Sequence, residues 1–153
     1  MSFNTTKRLL KELKSNYKEQ KNLLHLYPNS EDHLLLWTAI ITADRPFDTG
    51  KFYLEIKIAE DYPNSPPKIK FLNKVCHPNI NFNTGEICLD LLSNAWSPIF
   101  TLKSCVESII QLLNNPNPDS PLNCDAANLL RCQDYRGYYS LVQMYIKLNL
   151  KVT

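Results

Sequence analysis

The sequence predicts an α+β fold: an N-terminal helix, a four-stranded antiparallel meander sheet, a long irregular loop, and then C-terminal helices. Three observations predict it. Apolar residues recur at helical spacing near the N-terminus, alternate with polar ones further on, and return to helical spacing after residue 102. The strand-like runs follow one another with short connections, which suits antiparallel neighbours better than crossovers. The chain has 153 residues, 44% of them hydrophobic, enough for one compact domain over 1–153 and too few for two.

The elements follow in order. Leu9, Leu10, Leu13 and Tyr17 are spaced helically with charges between them, predicting an amphipathic helix over about residues 4–21, with Asn4 or Thr5 as its cap. Pro28, Asn29 and Ser30 mark a turn. The run from Leu34 to Thr42 is apolar and β-prone, and Phe47, Asp48 and Gly50 break it. From Lys51 to Ile58 the pattern alternates cleanly, with Phe52, Leu54, Ile56 and Ile58 on one face, as a half-buried strand requires. Pro63, Pro66 and Pro67 interrupt before a short strand at Lys68–Leu72. Leu102, Cys105, Val106, Ile109, Ile110 and Leu113 form a helix face that ends at Asn114, Asn115 and Pro116. Asp125 suits the cap of a short helix ending at Arg131, and Tyr135–Leu150 completes the chain as an amphipathic helix.

Composition narrows the function classes. The formal net charge is +2, so overall charge implies no obligatory nucleic-acid partner. Six of the 17 basic residues (Lys7, Arg8, Lys11, Lys14, Lys18 and Lys21) nevertheless fall in the first 21 positions, opposed there only by Glu12 and Glu19. Such a stretch is either a solvated helix face or a dock for an acidic surface. No apolar run approaches the roughly 18 residues of a membrane span, and the start lacks the apolar core of a secretory signal. The expectation is a soluble, cytoplasmic protein. Five cysteines, an odd number, argue against a closed disulfide framework. In a reducing compartment most free thiols are small buried hydrophobes.

One of the five stands in different surroundings. Residues 73–100 lack regular pattern and are rich in Asn, Pro and Gly, and a loop of that length inside a small domain usually serves function. It carries His77-Pro78-Asn79 followed by Gly85-Glu86-Ile87-Cys88-Leu89-Asp90. Sulfur attacks acyl carbon well and leaves well when an amine attacks. The tetrahedral species carries an oxyanion to which a side-chain amide such as Asn79 donates without changing protonation state. On residue types alone, a cysteine near an asparagine is more often structural.

The motifs together are more specific. His77-Pro78-Asn79, Cys88-Leu89-Asp90, Trp96-Ser97-Pro98 and Pro116-Asn117-Pro118 stand in that order, with Tyr62-Pro63 and Pro66-Pro67 before them and Lys7-Arg8 with Lys11-Glu12-Leu13 at the start. Over about residues 4–150 this resembles the ubiquitin-conjugating enzyme family. The resemblance implies the UBC fold and a transferase that takes ubiquitin from the activating enzyme as a thioester on Cys88 and passes it, with a RING-type ligase, to a target protein. It implies that Asn79 stabilises the oxyanion or orders the loop, and that His77 and Pro78 hold the loop, with Asp90 and Leu122 beside it. Asp119 and Ser120 match the positions that gate the acceptor. Lys7, Arg8 and Lys11 match positions that dock the activating enzyme, and Asn64, Ser97, Pro98 and Ile99 match ligase-contact positions. Many members carry aspartate where this chain has Ser120, an aromatic where it has Asn64, and alanine where it has Ile99. These departures suggest a dedicated ligase. Phosphorylation of Ser120 would restore the missing charge.

The stretch from Asp119 to Cys132 resembles the peroxisomal branch of the family found in fungi, which ubiquitinates a cycling import receptor. That implies recruitment to the cytosolic face of the peroxisome by a membrane-anchored partner. The receptor residue modified there is a cysteine, with lysine as the alternative, and a thiol has less need of an acidic gate. No nucleotide-binding loop is evident, so no cofactor is expected and ATP is spent by the activating enzyme.

Competing readings make distinct demands. A cysteine protease would need His77 within reach of the sulfur. A non-catalytic variant would lack the cysteine. A zinc site from Cys76, His77, Cys88 or Cys124 lacks paired Cys-x-x-Cys spacing, so no metal is expected. A nucleic-acid binder would interleave aromatics with its lysines.

Overall fold

A computed structural model describes residues 1–15 and 21–152, the side chains of 151 and 152 excepted. Helix α1 (Phe3–Ser15) precedes strands β1 (Leu23–Ser30), β2 (His33–Ile41), β3 (Phe52–Lys57) and β4 (Lys68–Phe71). A 3₁₀ turn at Asp90–Leu92 interrupts the following loop, and α2 (Leu102–Asn114), α3 (Cys124–Arg131) and α4 (Tyr135–Val152) complete the order. The sheet runs β1-β2-β3-β4, every pair antiparallel, so the predicted α+β meander is what the chain forms.

Alternation decides which face of the sheet is inside. In β3, Phe52, Leu54 and Ile56 are buried while Tyr53 and Lys57 are exposed. They pair in register with Ile41, Ala39 and Trp37 of β2, and all three partners are buried. The α2 face of Leu102, Cys105, Val106, Ile109, Ile110 and Leu113 joins the same core cluster. Burying each such aliphatic side chain contributes about 1.5–3 kcal/mol before entropy is counted.

Three sequence expectations need correction. Strand β1 lies where only a turn at residues 28–30 was expected. Its burial alternates from Leu24 to Ser30, but Pro28, Asn29 and Ser30 are turn-forming types that hide the strand, and Pro28 is tolerated because the strand is at the sheet edge. Helix α1 begins at Phe3, with the Ser2 hydroxyl accepting from the Thr5 N–H at 3.1 Å, so the cap is Ser2 rather than Asn4 or Thr5. The expected continuation through 16–20, with Tyr17, Lys18 and Glu19, lies outside the described residues, and Lys21 stands in a turn. At α3 the cap is Asn123, whose side chain accepts from the Ala126 N–H at 3.1 Å, and Asp125 sits in the first turn.

Glu12 departs furthest from the solvated face its sequence surroundings suggest. It is only 3% exposed. One carboxylate oxygen accepts from Arg8 Nε at 2.7 Å and from the Tyr62 hydroxyl at 2.6 Å, and the other accepts from the Leu102 N–H at 2.8 Å. That N–H opens α2 and has no partner within the helix. Arg8 also donates to the Phe100 carbonyl at 2.7 Å. One buried charge thus joins α1, the turn after β3 and the start of α2. Truncation would strand the Leu102 N–H, the Tyr62 hydroxyl and the Arg8 cation together. Glu12→Ala is expected to lose about 3–5 kcal/mol of unfolding free energy by denaturant titration; a loss below about 1 kcal/mol would show that the node is dispensable.

Candidate active site

After β4 the chain turns inward instead of looping through solvent. Val75, Cys76, His77, Pro78, Asn79 and Ile80 are all buried. Burying polar groups is tolerated only when they are bonded. His77 Nδ1 accepts from the Asn79 N–H at 3.0 Å, and Nε2 lies 2.8 Å from the Leu112 carbonyl. A carbonyl only accepts, so Nε2 carries the proton. Leu112 is in the last turn of α2, where carbonyls lack intrahelical partners. Burial pushes the His77 pKa down to about 4, and the ring is neutral with both nitrogens engaged.

Asn79 is the next fixed point. Its side-chain oxygen accepts from the Asn117 N–H at 2.8 Å, and its Nδ2 donates to the Asn117 carbonyl at 2.7 Å and to the Ser120 carbonyl at 3.4 Å. Its own carbonyl accepts from the Cys88 N–H at 2.9 Å. The Pro78 carbonyl accepts from Leu122 N at 2.7 Å and Asn123 N at 3.0 Å. The three residues therefore bond both the strand bearing Cys88 and the Asn117–Asn123 segment.

Cys88 ends a small hairpin within residues 73–100, whose sequence lacks regular pattern. Ile80 pairs with Ile87, and Asn81 N donates to the Glu86 carbonyl at 2.8 Å. The Asn81 side chain accepts from Asn83 N at 2.9 Å and Thr84 N at 3.1 Å, shaping the turn. Gly85 closes it at φ +77°, and any Cβ there would lie 2.0 Å from the Phe71 carbonyl oxygen. The Phe71 N–H donates to the Gly85 carbonyl at 2.9 Å, which hooks the hairpin to β4. The legible signal was Asn81-x-Asn83-Thr84-Gly85 between apolar residues.

Of the five cysteines, Cys76 and Cys105 are buried, and burial pushes their thiols up to about 11 and about 12. Cys88, Cys124 and Cys132 are exposed, and of these Cys88 is the one bonded through its backbone to Asn79. Asp119 and Ser120 are exposed on the segment that Asn79 holds, and Leu122 beside them is 45% exposed. Asp90 opens the 3₁₀ turn, where its carbonyl accepts from Ser93 N at 3.0 Å and Ala95 N at 2.9 Å. Two further supports have no signature in the sequence. Asn117 accepts at its side chain from Asp119 N at 3.0 Å, and Arg131 of α3 donates to the Pro118 carbonyl.

The remaining predicted residues gather on a second surface. Trp96 donates its indole N–H to the Pro63 carbonyl at 2.9 Å, drawing Asn64 together with Ser97, Pro98 and Ile99. Ile99 is 81% exposed. On α1, Lys7 and Lys11 are exposed one turn apart, whereas Arg8 is spent on Glu12 and Phe100. Among the described residues no group of three His, Cys, Asp or Glu side chains could hold a metal, and no helix is long and apolar enough to cross a membrane.

The fold and this arrangement define a thiol acyl-carrier of the UBC type, and comparison with known proteins agrees. The family model for ubiquitin-conjugating enzymes matches residues 8–146, and the chain belongs to the ubiquitin-conjugating enzyme family. Its resemblance within that family is to the Pex4, or peroxin-4, type. The ubiquitin-conjugating enzyme E2 pex4 of Dictyostelium discoideum is 52% identical over 143 residues, covering 92% of this chain and 96% of the relative. Protein PEROXIN-4 of Arabidopsis thaliana is 50% identical over 120 residues, covering 77% of this chain and 76% of the relative. The crystal structure of H. polymorpha Pex4p, solved in complex with the soluble domain of Pex22p, matches with TM-score 0.87 at 41% identity over 94% of this chain and 96% of that one.

The burial of His77 makes stability depend on pH. The unfolded imidazole titrates near 6.5, and the folded one at about 4. Between those values the unfolded chain binds more protons, so stability rises with pH. The contribution is complete above about pH 6.5 and lost as pH falls toward 4, a change of about 3 kcal/mol. Urea unfolding of the wild type at pH 7.5 and 4.5 should show this drop, and His77→Gln should flatten it; equal slopes in the two proteins would contradict the assignment.

Proposed function

We propose that Cys88 accepts ubiquitin from the activating enzyme and passes it to a peroxisomal import receptor. The single observation that carries this reading is an exposed thiol on a hairpin strand held by the Asn79 carbonyl, with the Asp119–Ser120 rim held by the side chain of the same residue. In charging, the Cys88 thiolate attacks the thioester carbonyl on the activating enzyme, and that enzyme's thiolate leaves. In discharge, an acceptor amine or thiol attacks the new thioester, and Cys88 sulfur leaves as thiolate. Asn79 serves both steps by holding the segments together. Its long N–H contact to Ser120 at 3.4 Å is the donor able to turn toward the oxyanion. His77 acts by support alone, since both nitrogens are occupied. No cofactor enters on this chain, and ATP is consumed by the activating enzyme.

The Pex4-type resemblance supports the finer reading. A membrane-anchored partner, as Pex22p suggests, would hold this chain on the cytosolic face of the peroxisome. A RING-type ligase would contact Asn64, Ser97, Pro98 and Ile99. The activating enzyme would use Lys7 and Lys11, with Arg8 holding α1 in place. Ser120 in place of an acidic gate suits a cysteine acceptor on the receptor, and selective discharge to free lysine over free thiol would contradict that.

The direct test is charging with activating enzyme, ATP and ubiquitin on a non-reducing gel. A reductant-sensitive ubiquitin-sized shift is expected, lost in Cys88→Ala and kept in Cys124→Ala and Cys132→Ala. A shift that persists in Cys88→Ala would overturn the assignment, and one obtained only with a ubiquitin relative would change the cargo.

A further inference from the structure

A cavity of roughly 390 Å³ opens beside the hairpin turn that leads to Cys88 and shares Leu122 with the rim. Asn81 and Phe82 of the turn form one wall, Leu122, Asn123 and Asp125 a second, and Tyr145 of α4 the floor. Phe82 packs on Tyr145 with ring centroids 4.6 Å apart, an aromatic contact between the turn and α4. The Asn81 side-chain oxygen is used by Asn83 and Thr84, and that of Asn123 by Ala126. The lining therefore offers the side-chain NH₂ groups of Asn81, Asn83 and Asn123, with no protein acceptor among the described residues. Asp125 is the charged residue of the lining, exposed in the first turn of α3. Lys74 lies outside the lining, with its Nζ 5.2 Å from the Phe82 ring centroid.

The position is as informative as the lining. Asn81 is two residues beyond Asn79, which is bonded to Cys88, so the cavity begins about 7 Å along the strand from the thiol's rung. Leu122 continues directly from the Asp119–Ser120 rim. A polypeptide whose reacting residue sits at that rim runs into the cavity within two or three residues.

We propose that this cavity is an acceptor-recognition site: it takes the peptide flanking the residue that receives ubiquitin, pairing a basic side chain two or three positions away with Asp125. The Asn81 and Asn123 amides donate to carbonyls of that peptide, and Phe82 and Leu122 cover its aliphatic stem. The proposal rests on the reading of Cys88 as the ubiquitin carrier.

The test is single-turnover discharge of the ubiquitin-charged protein to synthetic peptides with one acceptor residue and Arg, Ala or Glu two and three positions from it. The wild type should favour the Arg peptide over the Glu peptide by at least about tenfold in kcat/KM, mainly through KM, a difference of about 1.4 kcal/mol. Asp125→Asn should reduce that ratio to within about twofold, and Asp125→Lys should invert it. Flank-independent discharge by the wild type, or a ratio that survives in Asp125→Asn, would overturn the proposal. So would an Asp125→Asn variant that needs more ubiquitin for charging while keeping the ratio, since the cavity would then serve the carried ubiquitin. Failure of the wild type to charge at all would strike the Cys88 reading itself, a result distinguishable from these.

Discussion

The site depends on burying a polar tripeptide and leaving none of its groups unpaired. Within His77-Pro78-Asn79, the imidazole links the Asn79 backbone to the end of α2, the Pro78 carbonyl takes two N–H groups of the rim, and Asn79 binds the thiol strand with its backbone and the rim with its side chain. A buried polar group left unpaired costs about 1–3 kcal/mol, so each bond here guards against the others opening. The thiol strand and the rim are far apart in sequence, yet they share one anchor. The chain thereby holds an exposed thiol on a strand bonded to a buried anchor.

Chemistry and recognition are separated across the molecule. His77 offers the site support and no base, because it is neutral and both ring nitrogens are occupied. Thiol ester exchange needs little more, since the energy was stored when the ester was made elsewhere. The other candidate residues lie outward: exposed Asp119, Ser120 and Leu122 at the rim, Ile99 and Asn64 on the loops joined by Trp96, and Lys7 and Lys11 on α1. Glu12 couples α1 to α2 and to Tyr62, so α1 and the loops beside it share one buried charge.

Much of this was legible before the structure. The clean alternation of Lys51–Ile58 placed β3, and the apolar stripe from Leu102 to Leu113 placed α2, because each buries one continuous face. The motif order pointed to Cys88 and Asn79, and the structure puts them on one rung. What escaped notice has physical reasons. Strand β1 ends in Pro28, Asn29 and Ser30, residue types that mark turns, so its alternating burial is not announced. Glu12 and Arg8 read as surface charges because a carboxylate becomes buriable only when distant partners arrive, here Tyr62 and Leu102. Asn117 and Arg131 support the rim through backbone carbonyls and turns, contacts no residue type announces. The cavity beside Asp125 is assembled from three separate segments and has no linear signature.

Asn79 makes the thiol strand and the rim one mechanical unit. Amide hydrogen exchange, read residue by residue in the wild type and in Asn79→Ala, tests it most directly. In the wild type the Cys88, Asn117, Leu122 and Asn123 N–H groups should exchange with similar protection. In Asn79→Ala the Asn117 amide should lose at least about tenfold in protection, with Leu122 and Asn123 falling alongside it. If only Asn117 changed while the other three kept their wild-type protection, the segments would be held independently and the claim would fail.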